Sequence, residues 1–353
     1  MNWIPLTSVW MCLAGFVALL GAQDASTASP PSRISTTALE RAQTYSESAG
    51  GQAMLVMLDG KVVFEGYGNG GARDRKQMLA SGSKSFVGVA AAAAVEDGLL
   101  RLEDAACGSL AEWKDDPKRS GITYRHLLTM TSGLTAGEAG AAVRAPAWKE
   151  IIGKPMVAAP GAKFVYGAYH LNAFALALQR RLKDETFEAY LKRRILDPLG
   201  VSVEWRFRCA DGHPQVGGGA FMTARDWAKF GEFMRLEGRW DGKQIVASEP
   251  LAACRRGTEQ NPAYGLTWWL REPVPDTLIR QVPILERDMG DIVKSDWLPG
   301  DLFLAAGAGK QRLYVMPSLG LVVVRQGELR ASRFFRDAEF LDRLLRAEQE
   351  ARQ

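Results

Sequence analysis

The sequence predicts an α/β chain of the α+β kind: one antiparallel sheet built from both chain ends, flanked by helices, with a helical subdomain inserted between its halves. Three observations carry that prediction. Alternating and β-branched runs at residues 53–58 and 62–66 read as strands, strand signals return after Tyr264, and the stretch between about 100 and 255 is patterned mostly for helices. At 353 residues, 47% hydrophobic and 24% charged, the chain is too apolar to remain disordered and long enough for one large body. That body is expected over residues 36–353, with the sheet subdomain at about 36–105 and 256–353 and the helical subdomain at about 106–255.

The elements follow in order. Residues 9–22, VWMCLAGFVALLGA, are uncharged and end in small residues before Gln23-Asp24. Such a run is too short to span a bilayer and has the length of a signal-peptide core, so residues 1–22 read as a signal peptide and 23–35 as a flexible leader. A periplasmic or secreted protein is expected. Because no Lys or Arg precedes the run, an uncleaved membrane anchor is the alternative. Cys12 would leave with the signal; Cys107, Cys209 and Cys254 then allow at most one disulfide, with Cys209 and Cys254 as the candidate pair. A helix starts at Thr36, and Asp59-Gly60 marks a hairpin turn. Thr131-Ser132-Gly133, Pro160-Gly161, Asp197-Pro198 and Gly217-Gly218-Gly219 punctuate the helical middle. Thr223 reads as a cap for a helix whose Trp227, Phe230 and Met234 share one face. Strands are expected at 266–270, 302–305, 313–316 and 321–325, the last two joined by Pro317-Ser318-Leu319-Gly320. Residues 334–351 close as a helix with Phe340, Leu341, Leu344 and Leu345 at helical spacing. There are no internal repeats.

Composition excludes some chemistries. The net charge of +4, from 44 basic and 40 acidic residues, is spread without a basic block, so nucleic acid is not an expected partner. Four cysteines without C-x-x-C spacing and only three histidines make a zinc or haem site hard to assemble, and no metal or cofactor is expected. The G-x-S-x-G elbow of α/β-hydrolases is absent.

What remains is Ser81-x-x-Lys84, followed by the Ala-rich run of residues 87–95. That run is a strong helix former, so Ser81 should stand at a helix start with Lys84 one turn on, on the same face. Free N–H groups and the positive dipole end would there favour an oxyanion. A lysine walled in by apolar side chains loses its proton readily and could take the serine's. The other reading is a capping serine beside a solvated lysine.

Residues from about 78 to 327 resemble the serine β-lactamase and penicillin-binding-protein superfamily, specifically the class C β-lactamase-like serine hydrolases, which include esterases and D-aminopeptidases. Besides Ser81-x-x-Lys84, the similar segments are GLLRLED at 98–104, ITYRHLLTMTSGL at 122–134, PGAKFVY at 160–166, DPLG at 197–200, residues 217–226, YGLTWW at 264–269 and residues 311–324. The resemblance implies a β-lactamase-like fold, Ser81 as nucleophile, Tyr166 sharing proton transfer with Lys84, and the backbone N–H groups of Ser81 and Ala308 as oxyanion hole. A depressed tyrosine pKa would suit that role.

Two departures stand out. Ala168 occupies the place of the asparagine in the family's Tyr-x-Asn motif. In the third motif, Ala305-Ala306-Gly307 keeps only the glycine and lacks the Lys or His that would bind a substrate carboxylate; Lys310 or Arg312 could substitute, or be solvated loop charges. His170 reads as a surface or core histidine more than a second base, and His126 and His213 as structural. Gly307, Tyr264 and Trp268 are the candidate substrate-binding residues, with Trp268 and Trp269 on opposite faces of a strand so that at most one lines a cleft. These features point to an exported serine hydrolase acting on a small ester or amide. A β-lactamase or D,D-peptidase, or a decayed member that only binds a cell-wall fragment, is the alternative.

Overall fold

In the computed structural model, which describes residues 34–137 and 145–346, the Ser35 hydroxyl accepts a hydrogen bond from the Ala38 amide and caps helix α1 (Thr36–Ser48). The expected signal peptide, Cys12 and nearly all of the leader lie outside the described residues. Strands β1 (Gly51–Leu58) and β2 (Lys61–Tyr67) are joined by Asp59 and Gly60, with φ of 47° and 78°. Positive φ at both positions is what a two-residue turn between right-twisted strands requires. A short β3 (Gln77–Met78) leads through a 3-10 turn, Ala80–Lys84, into α2 (Ser85–Glu96).

The helical middle holds α3 (Tyr124–Leu128), α4 (Trp148–Ile151), α5 (Tyr169–Leu182), α6 (Phe187–Leu191), a π-helical turn at Lys192–Leu196 and α7 (Asp197–Leu199). Strands β4 (Glu204–Trp205) and β5 (Ala220–Met222) form a small sheet with β3 in the order β3-β5-β4. Helix α8 (Ala224–Arg235) begins at Thr223, whose hydroxyl accepts from the Asp226 amide. The hairpin β6 (Arg239–Trp240) and β7 (Lys243–Gln244) and helix α9 (Ser248–Ala252) follow. The last stretch is β8 (Trp269–Leu270), α10 (Asp276–Gln281), α11 (Pro283–Val293), β9 (Phe303–Gly307), β10 (Gln311–Met316), β11 (Leu321–Gly327) and α12 (Asp337–Leu345).

The main sheet runs β2-β1-β11-β10-β9-β8 with every pair antiparallel. The first long strand is thus seated against the last, Leu55 opposite Val324. Helices cover both faces. Gly231 of α8 lies against Leu313 and Val322, while Phe340 of α12 stacks on Tyr314 at 6.0 Å. Neighbouring residues of a strand point to opposite faces, so α8 and α12 sit on opposite sides. That explains why every residue of β10 and β11 is buried and why Leu321–Val324 is continuously apolar. Each such side chain contributes roughly 2 kcal/mol by leaving water.

Helix α2 is buried nearly all round, Phe86 through Ala94 having almost no exposed surface. Its alanines let neighbours approach closely, and at Gly88 a Cβ would sit 2.2 Å from the Leu266 carbonyl. The Gly88 amide donates to the Thr267 hydroxyl at 3.1 Å, which ties the helix to this segment.

The structure departs from the sequence expectations in several places, among them the closing helix expected from 334, which begins only at Asp337 after a 3-10 turn at Ala331–Phe334. The α-helix starts at Ser85, so Ser81 lies in the preceding 3-10 turn. Strand β8 covers only Trp269–Leu270 of the expected 266–270, because Thr267 has a φ of 66°, which a strand cannot contain. Helices α10 and α11 fill a stretch that carried no prediction, although buried Leu285, Met289 and Ile292 at helical spacing behind Pro283 are the signal. Cys107, Cys209 and Cys254 are free thiols, so the Cys209–Cys254 disulfide does not form; burial pushes the Cys209 and Cys254 thiols up to about 12. Among the described residues, no helix is long and apolar enough to cross a membrane.

Candidate active site

Ser81 is held between two sheets. On one side the Leu79 amide donates to the Ala220 carbonyl, and the Ser83 hydroxyl accepts from the Ala220 amide while donating to Ala80 O, so β5 grips the 3-10 turn. On the other side the end of β9 presses in. A Cβ on Gly307 would stand 2.1 Å from Leu79 O and 3.1 Å from Ser81 N, so only glycine permits the approach. Gly82 does the same for the indole of Trp227 on α8, 2.9 Å from where its Cβ would be.

In a 3-10 helix, residues i and i+3 eclipse. Lys84 therefore lies directly over Ser81, its Nζ 2.9 Å from Ser81 Oγ. The lysine is buried, 4% exposed, and donates a second bond to the Gly217 carbonyl at 2.6 Å. Burial pushes its pKa down to about 7, against the opposing pull of the Asp288 carboxylate. A neutral amine there can donate to Gly217 O and offer its lone pair to the serine proton. Where an asparagine side chain was expected, Ala168 leaves space that Gly217 fills: a Cβ on Gly217 would come within 2.5 Å of the Ala168 methyl. The peptide carbonyl of Gly217 thus supplies a lysine partner.

Tyr166 completes the cluster. Its phenol lies beside Ser81, and Lys84 Nζ lies 5.0 Å from its ring centroid. Burial lifts the phenol above its ordinary range, the nearby Ser81 hydroxyl working against this and Asp288 adding to it. This corrects the expectation of a depressed tyrosine: Tyr166 stays protonated, and the group poised to accept a proton is Lys84. His170 is also buried, its Nδ1 2.7 Å from Ser132 Oγ, and burial pushes it down to about 4. It is a neutral core histidine. His126 receives the Thr123 amide in a capping box and His213 stacks on Trp148 at 4.3 Å, both as structural parts.

A cleft of about 1060 Å³ opens over Ser81, Lys84 and Tyr166 and reaches Ala308. Its apolar wall comes from Phe164 and from Leu278, Val282 and Ile284 of α10–α11, the segment the sequence reading left unassigned. Arg287 and Lys163 also line it, and among the described residues no Asp or Glu does. Tyr264 and Trp268 do not line the cleft, contrary to expectation. Tyr264 is 1% exposed behind Tyr166, whose ring centroid is 6.0 Å away, and Trp268 packs in the core against Phe230 and Phe303. Trp269 points the other way, onto Tyr166 at 5.5 Å. Each aromatic supports a wall that others present. Lys310 and Arg312 are not free for substrate either, since both pair with Asp337.

Comparison with known proteins places this arrangement. The profile of the beta-lactamase family matches residues 36–339. An uncharacterised protein of Alkalihalophilus pseudofirmus is 25% identical over 274 residues, 71% of this chain and 73% of that protein. Among solved structures, EstCE1, a hydrolase with promiscuous acyltransferase activity, superposes with a TM-score of 0.65 at 16% identity, over 88% of this chain and 98% of its own. A penicillin-binding-protein homologue from Caulobacter crescentus gives 0.61 at 14% identity, over 85% and 97%. With its antiparallel sheet, its helices and a profile match spanning nearly all of the described residues, the chain belongs to the beta-lactamase family of serine hydrolases.

Proposed function

We propose that the protein is an exported serine hydrolase that cleaves small esters or amides through an acyl-enzyme on Ser81. The observation that carries this is the 2.9 Å contact between Ser81 Oγ and a buried Lys84 whose pKa is about 7, at the floor of an open cleft. Neutral Lys84 takes the hydroxyl proton as Ser81 Oγ bonds to the substrate carbonyl carbon. The negative oxygen that forms is met by the backbone N–H groups of Ser81 and Ala308. The leaving group departs with a proton passed from Lys84 through Tyr166, and water enters by the reverse route to release the acyl group.

Substrate preference follows from what surrounds these groups. Ala168 and Ala305 remove the side chains that would hold a peptide amide and a carboxylate deep in the site, which favours simple esters and small amides over penicillins. Arg287 and Lys163 make the cleft unfavourable for cationic substrates. Export rests on the apolar run at residues 9–22. The test is intact-mass analysis with a fluorophosphonate probe, peptide mapping and a Ser81→Ala control. A single adduct at Ser81 supports the reading; no adduct on folded protein supports a binding protein in its place.

A further inference from the structure

The β9–β10 turn is clamped from inside the protein by two arginines. Arg312 has no exposed surface, and its Nη1 donates to Gly307 O at 3.2 Å and to Gln311 O at 3.1 Å. Arg325, also fully buried, donates from Nη1 to Gly309 O at 3.2 Å and Lys310 O at 2.9 Å, and from Nη2 to Ala49 O at 2.8 Å. Four carbonyls of one short turn are thus turned inward onto guanidinium groups. Arg312 is itself anchored by Asp337, with Nε 2.6 Å from Oδ1 and Nη2 3.2 Å from Oδ2, and the Tyr314 hydroxyl donates to the same Oδ1 at 2.6 Å.

Gly307 O belongs to the peptide unit whose N–H is that of Ala308. There are no cis peptide bonds among the described residues, so this N–H points opposite to the carbonyl that Arg312 holds. Ala308 lines the cleft beside Ser81. We infer that Arg312, supported by Arg325 and Asp337, is a positioning residue for the oxyanion hole: by fixing and polarising the Gly307–Ala308 peptide it aims the Ala308 N–H at the substrate oxygen. A buried cation costs desolvation that an apolar residue would not. Its retention here has a functional reason, because a positive charge at the carbonyl end strengthens the opposite N–H as a donor. This reading rests on the acyl-enzyme proposal above and adds a residue that never touches substrate.

The experiment uses the full chain and its Arg312→Lys and Arg312→Met variants. Arg312→Lys keeps the charge that Asp337 requires but has no fork to reach Gly307 O, so it keeps the idea testable if Arg312→Met fails to fold. Three quantities are read on protein shown folded by circular dichroism: kcat and KM for p-nitrophenyl acetate, and the inhibition constant of phenylboronic acid, whose tetrahedral serine adduct places an oxygen in the hole. The expected result is a tenfold or greater loss in kcat with KM within twofold, and a boronate inhibition constant that rises by about the factor lost in kcat/KM. A structural role alone would lower thermal stability without that selective loss. Folded Arg312→Lys with kcat and boronate affinity within twofold of the parent overturns the positioning role. A parent protein with no Ser81 adduct overturns the serine-hydrolase reading itself, and the two failures are told apart in the parent.

Discussion

Replacing Lys84 by methionine removes one charge at nearly constant length. The lysine falls from 10.5 to about 7 on folding, with burial as the cause. At about 1.4 kcal/mol per pH unit, this fall corresponds to a penalty on the order of 5 kcal/mol that charged Lys84 imposes on the folded state. The sign follows from where the proton sits. Below pH 7 the lysine is protonated in both states and the folded form carries the whole penalty. Between pH 7 and 10.5 only the unfolded chain holds the proton, so stability rises with pH, and above 10.5 the penalty is gone. Lys84→Met should therefore be more stable than the parent at pH 6.5, less the roughly 1 kcal/mol lost with the Gly217 hydrogen bond. Urea unfolding at pH 6.5, 8 and 9.5 should show this advantage shrinking by about 3 kcal/mol across the range. A difference that does not vary with pH would refute the assignment of a neutral, desolvated lysine. In the parent, the rate of Ser81 phosphonylation should rise through the same midpoint near 7 and then level.

Other perturbations separate the parts of the site. Tyr166→Phe deletes the phenol beside Ser81 and should cost roughly 10²–10⁴ in kcat at little change in KM; an effect confined to KM would assign Tyr166 to binding. Gly307→Ala would place a Cβ 2.1 Å from Leu79 O, so β9 must retreat from the Ser81 turn. A loss of about 1–3 kcal/mol in stability with a slower phosphonylation rate is expected, and unchanged labelling would mean that the approach of β9 is dispensable. Arg287→Glu should raise the preference for cationic over anionic p-nitrophenyl esters tenfold or so, measured as a ratio of kcat/KM, and an unmoved ratio would show that Arg287 does not sense the substrate. Acid stability should fall between pH 6.5 and about 4, because His170 is held neutral when folded and takes up its proton on unfolding. His170→Gln should flatten that slope in urea titrations.

Local chemistry made much of the architecture legible. Asp59-Gly60 names its own hairpin, Thr223 its helix start, and the apolar runs of β10 and β11 a sheet covered on both faces. The spacing of Ser81 and Lys84 likewise announced a pair on one side of a helical turn. Other parts were not legible. The 3-10 form of that turn depends on the grip of β5 and β9, neither of which is near in sequence. Helices α10 and α11 were overlooked because their short amphipathic signal follows a stretch rich in Pro, Glu and Asp. Tyr264 and Trp268 looked like cleft aromatics by type and position, yet whether an aromatic faces a cavity or backs its wall depends on which strand face is turned inward.

The sequence by itself determined the nucleophile candidate, its lysine, the long strands of the main sheet, the helix starts at Thr36 and Thr223 and the family, because each depends on residue type and short-range spacing. Only the tertiary structure decided the chemistry of these groups. Lys84 reaches a pKa near 7 because α2 and its surroundings exclude water, and its second partner is a carbonyl 133 positions away in sequence. Arg312, which read as a loop charge or a carboxylate anchor, turned inward to Asp337 and the Gly307 carbonyl. Charge and burial depend on what packs around a residue, and that is settled only when distant segments meet.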